Sequence, residues 1–151
     1  MTSWVVDTCV LLDLVSGTDR QAADAEAVLA KAGSVVICPV SVVELGPTFP
    51  DTAKLRDFLL DYAIDVTEAF TPEDAEVGRI AWQRIIAARR ATGTPRRPIA
   101  DILIGAFAQR RNGIITRNGR DFMTLFPLLP VWIPGAAHHG LEGLDSATPP
   151  R

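Results

Sequence analysis

Four acidic residues stand where apolar runs break or helices begin along this chain of 151 residues: Asp7, Glu44, Asp101 and Asp121. Carboxylates gathered without compensation repel one another and raise one another's pKa values. Hard divalent cations relieve that repulsion, and oxygen ligands without His or Cys point to Mg2+ or Mn2+ rather than zinc. Two such ions can orient a water and stabilise the leaving oxygen in phosphodiester hydrolysis. Thr8, Thr116 and Asn118 add neutral polar groups beside the acids. A plainer structural reading stands next to the chemical one for two of them. Asp7 can cap the helix that follows it. Glu44, flanked by Val42, Val43 and Leu45, is either a carboxylate that needs a partner or a cation, or one that faces water.

The elements that must position these residues are legible as hydrophobic patterns. Trp4-Val5-Val6 is a short apolar run without alternation, which suits a strand buried on both faces of a sheet. Asp7-Thr8 ends it, and Val10-Leu11-Leu12 resumes with helical spacing, so Asp7 has the address at which ligands collect in α/β sheets. Thr18 caps a helix running to about Ala32, with Gly33 as its stop, and residues 34–38 form a second buried strand. Glu44 lies in the short helix over 40–45. Asp51 opens another helix, residues 63–66 a short strand, and Thr71-Pro72-Glu73-Asp74 starts a long helix to about Ala91. Pro98 opens a helix to Arg111, capped by Asn112-Gly113. Asp101 lies in its first turn, and Gly105, one turn on, permits a close approach of the sheet or a ligand. Residues 114–116 and 131–133 complete the strands. Alternation of strands and helices predicts a single three-layer α/β/α domain over residues 1–135, with a mostly parallel central sheet of about five strands. Residues 136–151, with His138 and His139, turn to Gly, Ser, Pro and scattered charge and are expected to form a mobile tail rather than a metal site.

Composition narrows the class. With 48% hydrophobic and 22% charged residues the chain is globular, and no apolar run approaches the ~20 residues that span a bilayer. No basic leader with an apolar core begins it, so a cytoplasmic address is expected. Cys9 and Cys38 are too few for a disulfide framework and lack metal-ligand spacing, which leaves them as reduced core thiols. The net charge of −3 hides a division. Residues 1–78 hold fourteen acids against Arg20, Lys31, Lys54 and Arg56, whereas residues 79–120 hold ten arginines and one acid, Asp101. That basic region is expected to face an anionic partner, although Arg84, Arg89 and Arg90 also favour the C-terminal dipole of their helix.

Four segments in order carry a family resemblance: Val5-Val-Asp7-Thr-Cys-Val-Leu-Leu-Asp13, Pro39-Val-Ser-Val-Val-Glu44-Leu45, Pro98-Ile-Ala-Asp101-Ile-Leu-Ile-Gly-Ala106 and Ile115-Thr-Arg-Asn-Gly-Arg-Asp121-Phe122. Each is weak alone, but the ordered set across most of residues 4–122 resembles PIN-domain proteins, specifically the VapC-type ribonuclease toxins of bacterial toxin–antitoxin pairs. The resemblance implies an acidic metal-site triad of Asp7, Glu44 and Asp101, with a fourth position filled by the carboxylate of Asp121 or the polar side chain of Asn118. It further implies an Mg2+- or Mn2+-dependent endoribonuclease that hydrolyses RNA with a metal-activated water. A homodimer and a cognate VapB-like antitoxin that blocks the site are its implied partners. Arg96 and Arg97, on the breaker-rich loop before Asp101, and Arg117 are the expected contacts to RNA or antitoxin.

Three other readings compete. A phosphotransferase of the haloacid-dehalogenase type also begins with a strand and Asp, but it needs a second Asp two residues on, where this chain has Cys9. A receiver domain needs paired acids before its phosphoacceptor strand and a lysine late in the chain, and only Lys31 and Lys54 exist. A PIN-like module that binds RNA or protein without catalysis is the non-enzymatic rival.

Overall fold

The structure, a computed structural model, describes residues 3–92 and 98–136. Along them run β1 (Trp4–Val6), α1 (Thr8–Ser16), α2 (Asp19–Ala32), β2 (Val35–Ile37), α3 (Pro39–Glu44), α4 (Thr52–Asp61), β3 (Ile64–Asp65), α5 (Pro72–Thr92), α6 (Ile99–Gln109), β4 (Gly113–Ile115), α7 (Gly119–Leu125) and β5 (Val131–Trp132). The strands form one sheet in the order β3-β2-β1-β4-β5, and every neighbouring pair is parallel. β1 is therefore the middle strand. The chain winds outward from it through β2 and β3, then returns to lay β4 and β5 on the other side. That reversal between β1 and β4 is a topological switch point, and it opens a crevice at the carboxyl ends of those two strands.

Alternation along each short strand sorts the core into two layers. Val5, Val36 and Ile114 face α5, α6 and α7, where Ala81, Ile102, Phe107 and Phe122 are buried. Trp4, Val6, Val35, Ile37 and Ile115 face the other way, against Val10 and Leu11 of α1, Val28 and Leu29 of α2 and Leu59 of α4. Strands of two or three residues suffice because both faces are covered. The three-layer α/β/α expectation holds, with all five strands parallel. No helix among the described residues is long and apolar enough to cross a membrane.

Local chemistry starts the helices where the sequence signals it. Thr18 and Gln21 form a reciprocal capping box, Asp51 accepts from the backbone N–H groups of Ala53 and Lys54, and Thr71 and Asp74 cap one another across the first turn of α5. Beyond shifts of a residue or two at element ends, two assignments differ from the sequence expectation. Gly113 is the first residue of β4, not a helix cap: its φ of +143° and the close approach of the Pro130 carbonyl leave no room for a Cβ. Residues 119–125, left without an element in the sequence, form α7. The tail from 137 on, with His138 and His139, and the loop bearing Arg96 and Arg97 lie outside the described residues.

Gly105 does serve a close approach, and the neighbour is an aromatic ring. A Cβ there would sit 2.3 Å from the Phe126 ring, which is buried. A Cβ on Gly78 of α5 would instead meet Ala106 and Ile102 at ordinary distances of 3.5 and 3.6 Å. Both positions gain up to about 1 kcal/mol of helix propensity from alanine, but overpacking at Gly105 costs about 1–3 kcal/mol. Denaturant unfolding is expected to show Gly78→Ala as neutral to stabilising and Gly105→Ala as clearly destabilising. Equal effects at the two sites would mean that the Phe126 ring is free to move aside.

Candidate active site

Asp7 ends β1, takes extended backbone (φ −78°, ψ 150°), and is the N-cap of α1. Its buried carboxylate is held on both oxygens. Oδ1 accepts from the backbone N–H of Thr8 at 2.8 Å, and Oδ2 accepts from the Thr116 hydroxyl at 2.7 Å. Its own backbone N–H donates to the Ile115 carbonyl at 2.9 Å, which extends the β1–β4 ladder to the edge of the crevice. The capping role is thus real, and it uses one oxygen only.

A run of hydrogen bonds leads from Asp7 in both directions. The Thr8 hydroxyl donates to Oε2 of Glu44 at 2.5 Å, so one threonine touches the first acid through its N–H and the second through its O–H. On the other side, Thr116 Oγ1 accepts from the Asn118 backbone N–H at 3.0 Å while donating to Asp7. Glu44, Thr8, Asp7, Thr116 and Asn118 form one connected series across the ends of three strands. Glu44 itself is exposed at the end of α3, so it faces water and is tethered rather than buried. Asp101, Asn118 and Asp121 line a single cleft of about 550 Å3 together with Arg89 and Thr124. Asp101 enters it from the first turn of α6 and Asp121 from the first turn of α7.

Among the described residues, no three His, Cys, Asp or Glu side chains are gathered closely enough to hold a metal ion by themselves. The donor chemistry still suits one kind of ion. Mg2+ and Mn2+ take hard oxygen ligands, and Mg2+ dehydrates reluctantly, so it is held by one or two carboxylates with waters and substrate phosphates completing the shell. The described carboxylates fall in two groups, Asp7 and Glu44 on the connected edge and Asp101 and Asp121 in the cleft, with Asn118 common to both, and a soft-metal site would need clustered thiol or imidazole groups instead.

Two participants escaped the sequence reading. Cys9 is half-buried, and its thiol donates to Asp7 Oδ2 at 3.2 Å and lies 3.6 Å from Thr116 Oγ1. Burial, then the nearby Asp7 charge, push this thiol up to about 11, so it stays neutral at physiological pH. A neutral thiol is a poor replacement for the acid/base Asp of a haloacid-dehalogenase-type enzyme. Asp13 is the other. Its side chain, 6% exposed, accepts from the Arg117 guanidinium and ties α1 to the turn that carries Thr116 and Asn118. The signal for both was position only, in the helix that Asp7 opens.

The pair also redefines Arg117, which is held by a buried partner although 41% of its side chain is exposed. Arg117→Ala would leave the Asp13 carboxylate buried without its cation, at a cost of about 1–3 kcal/mol, measurable by urea unfolding. A stability unchanged within a few tenths would show that Asp13 finds water or another donor. Raised thiols add a pH signature. Cys9 and Cys38 both move from 9.0 to about 11 on folding, Cys38 through burial. The unfolded chain therefore releases their protons first, and stability should decline as pH rises from 9 towards 11. Replacing Cys38 with Ala should flatten that decline, and an identical slope would exclude it as a contributor.

Comparison with known proteins agrees with this architecture. The PIN domain family matches residues 4–124. No curated protein sequence matches the chain significantly. Among solved structures it is similar to VapBC2 from Rickettsia felis, determined with a DNA fragment from its promoter (TM-score 0.58, 13% identity, covering 87% of this chain and 98% of that one). It is also similar to FitAcB from Neisseria gonorrhoeae (TM-score 0.55, 19% identity, 86% and 96% covered). A toxin–antitoxin complex from Klebsiella pneumoniae gives a TM-score of 0.53 at 23% identity, with 79% and 89% covered. At these identities the structures attest to the fold. The family match spans residues 4–124, most of the chain: the chain belongs to the PIN domain family.

Proposed function

We propose that this protein is a Mg2+- or Mn2+-dependent endoribonuclease acting as the toxin of a toxin–antitoxin pair. The observation that carries the reading is the hydrogen-bonded series from Glu44 through Thr8, Asp7 and Thr116 to Asn118, at the switch point and beside the cleft of Asp101 and Asp121. Asp7, Asp101, Glu44 and Asp121 would hold the ion. Bound there, it would supply Lewis acidity towards the phosphate and lower the pKa of a water. The chain's own residues do the positioning. Thr116 and the Thr8 N–H fix the Asp7 oxygens, the Thr8 hydroxyl restrains Glu44, and the Asp13–Arg117 pair braces the turn that presents Asn118. Similarity in fold to chains of toxin–antitoxin complexes supports a VapB-like antitoxin as partner; a homodimer and a cytoplasmic setting are part of the same proposal. A PIN-like module that only binds RNA would have no need of this restrained acidic edge.

Purified protein should cut single-stranded RNA in Mg2+ or Mn2+, stop in excess EDTA, and leave 5′-phosphate and 3′-hydroxyl ends. Cutting that persists in EDTA, or 2′,3′-cyclic phosphate products, would mean that the RNA's own 2′-hydroxyl is the nucleophile and would refute the mechanism. Thr116→Val removes the hydroxyl that orients Asp7 and should lower activity or metal affinity by about 10- to 100-fold, the usual penalty for losing a group that orients a ligand. Full activity in this variant would show that Asp7 needs no such support.

A further inference from the structure

The described arginines between Arg79 and Arg120 do not form one basic face. Arg79 pairs with Glu76, Arg84 donates to the Leu125 carbonyl, and Arg110 and Arg111 pair with Asp74, with Arg111 also on Glu68. Arg117 is held by Asp13. Asp101 and Arg110 begin and end the same helix, about 13 Å apart along its axis, so the Asp74 cluster serves packing and not the cleft. Among the residues of this region whose side chains are described, Arg84, Arg89 and Arg120 form no ion pair; Arg84 is taken by the Leu125 carbonyl, and of the other two Arg89 lines the cleft with Asp101, Asn118 and Asp121. Among the described residues, Arg89 is the one cation lining this cleft, beside the carboxylates of Asp101 and Asp121, and its planar fork suits a phosphate.

From this we infer that Arg89 is the substrate-anchoring residue of the cleft, taking a backbone phosphate of single-stranded RNA adjacent to the one that is cut. The inference rests on the nuclease reading and adds a named contact to it. One charge–phosphate contact has a measurable signature, because each phosphate neutralised on a single strand contributes about 0.7 to the slope of log K against log salt.

The test is fluorescence anisotropy with a labelled single-stranded RNA in EDTA across a salt series, with the same samples run on a gel to check that the RNA stays intact. Arg89→Ala should bind more weakly and lose about 0.7 of the slope. Arg89→Lys should keep the slope while binding less tightly, since the charge remains and the fork is lost. Arg79→Ala, one net charge lower and about 15 Å along the same helix, should leave the slope unchanged. An unaltered slope in Arg89→Ala would overturn the inference and make Arg89 a counter-ion for Asp101 and Asp121, with the nuclease reading intact. An equal loss in Arg79→Ala would also overturn it, since net charge alone would then be responsible. RNA that wild type fails to bind in EDTA would overturn the inference alone, whereas RNA that wild type cuts in EDTA would bring down the nuclease reading and the inference together.

Discussion

The placement of one carboxylate governs this structure. Asp7 lies where β1 ends in the middle of a parallel sheet, and it is fixed by donors from two directions: the first N–H of α1 and the hydroxyl of Thr116 beyond β4. A buried carboxylate without hydrogen bonds would be costly. Here the donors come from the elements that must meet for the sheet to close around the switch point. The β1–β4 register, the start of α1 and the orientation of the acid are thus one constraint. The sheet can be very short because the ladder, the two covering layers and this link all specify the same alignment.

Charge distribution follows a similar logic. The acidic first half and arginine-rich second half of the sequence do not become two opposed faces. They interlock, with Arg110 and Arg111 on Asp74 and Glu68, and Arg117 on Asp13. Two of these acids are almost wholly buried, so the pairing holds distant segments together while avoiding the cost of a lone buried charge. Arg111 also lies over the Phe107 ring at 3.3 Å, which places its guanidinium between the core and the ion pairs. Near the cleft, Arg84 and Arg117 are engaged elsewhere, on the Leu125 carbonyl and Asp13, while Arg89 lines it.

The strand over residues 4–6 and the address of Asp7 were legible because an unalternated apolar run followed by a carboxylate and a helix has few other solutions. The capped starts of α2, α4 and α5 were legible for the same local reasons. α7 was not: it has seven residues, begins at a glycine, and its N-cap Asn118 makes no side-chain cap hydrogen bond, so the usual start signal is missing. Asp13 with Arg117 spans 104 residues of sequence, and no local pattern announces it. Cys9 was taken for a core thiol because its spacing matched no metal motif, yet its thiol reaches Asp7. Arg89 was explained by the dipole of its helix, and only the fold shows that the end of α5 borders the cleft of Asp101. For Glu44 the sequence leaves two settings open, and the structure selects the one that faces water, with the carboxylate exposed on its threonine tether.

Under the proposed function, acids separated by almost the whole domain serve one divalent cation. Thermal melts of wild type and Asp101→Asn, each in EDTA and in a Mn2+ series, test it most directly. A ligand that binds only the native state stabilises by RT ln(1 + [L]/Kd), about 2.7 kcal/mol at a hundredfold excess over Kd. A shared ion should give a saturable rise in Tm for wild type on adding Mn2+ and a much smaller one for Asp101→Asn. No rise in wild type, or the same rise in both proteins, would contradict it.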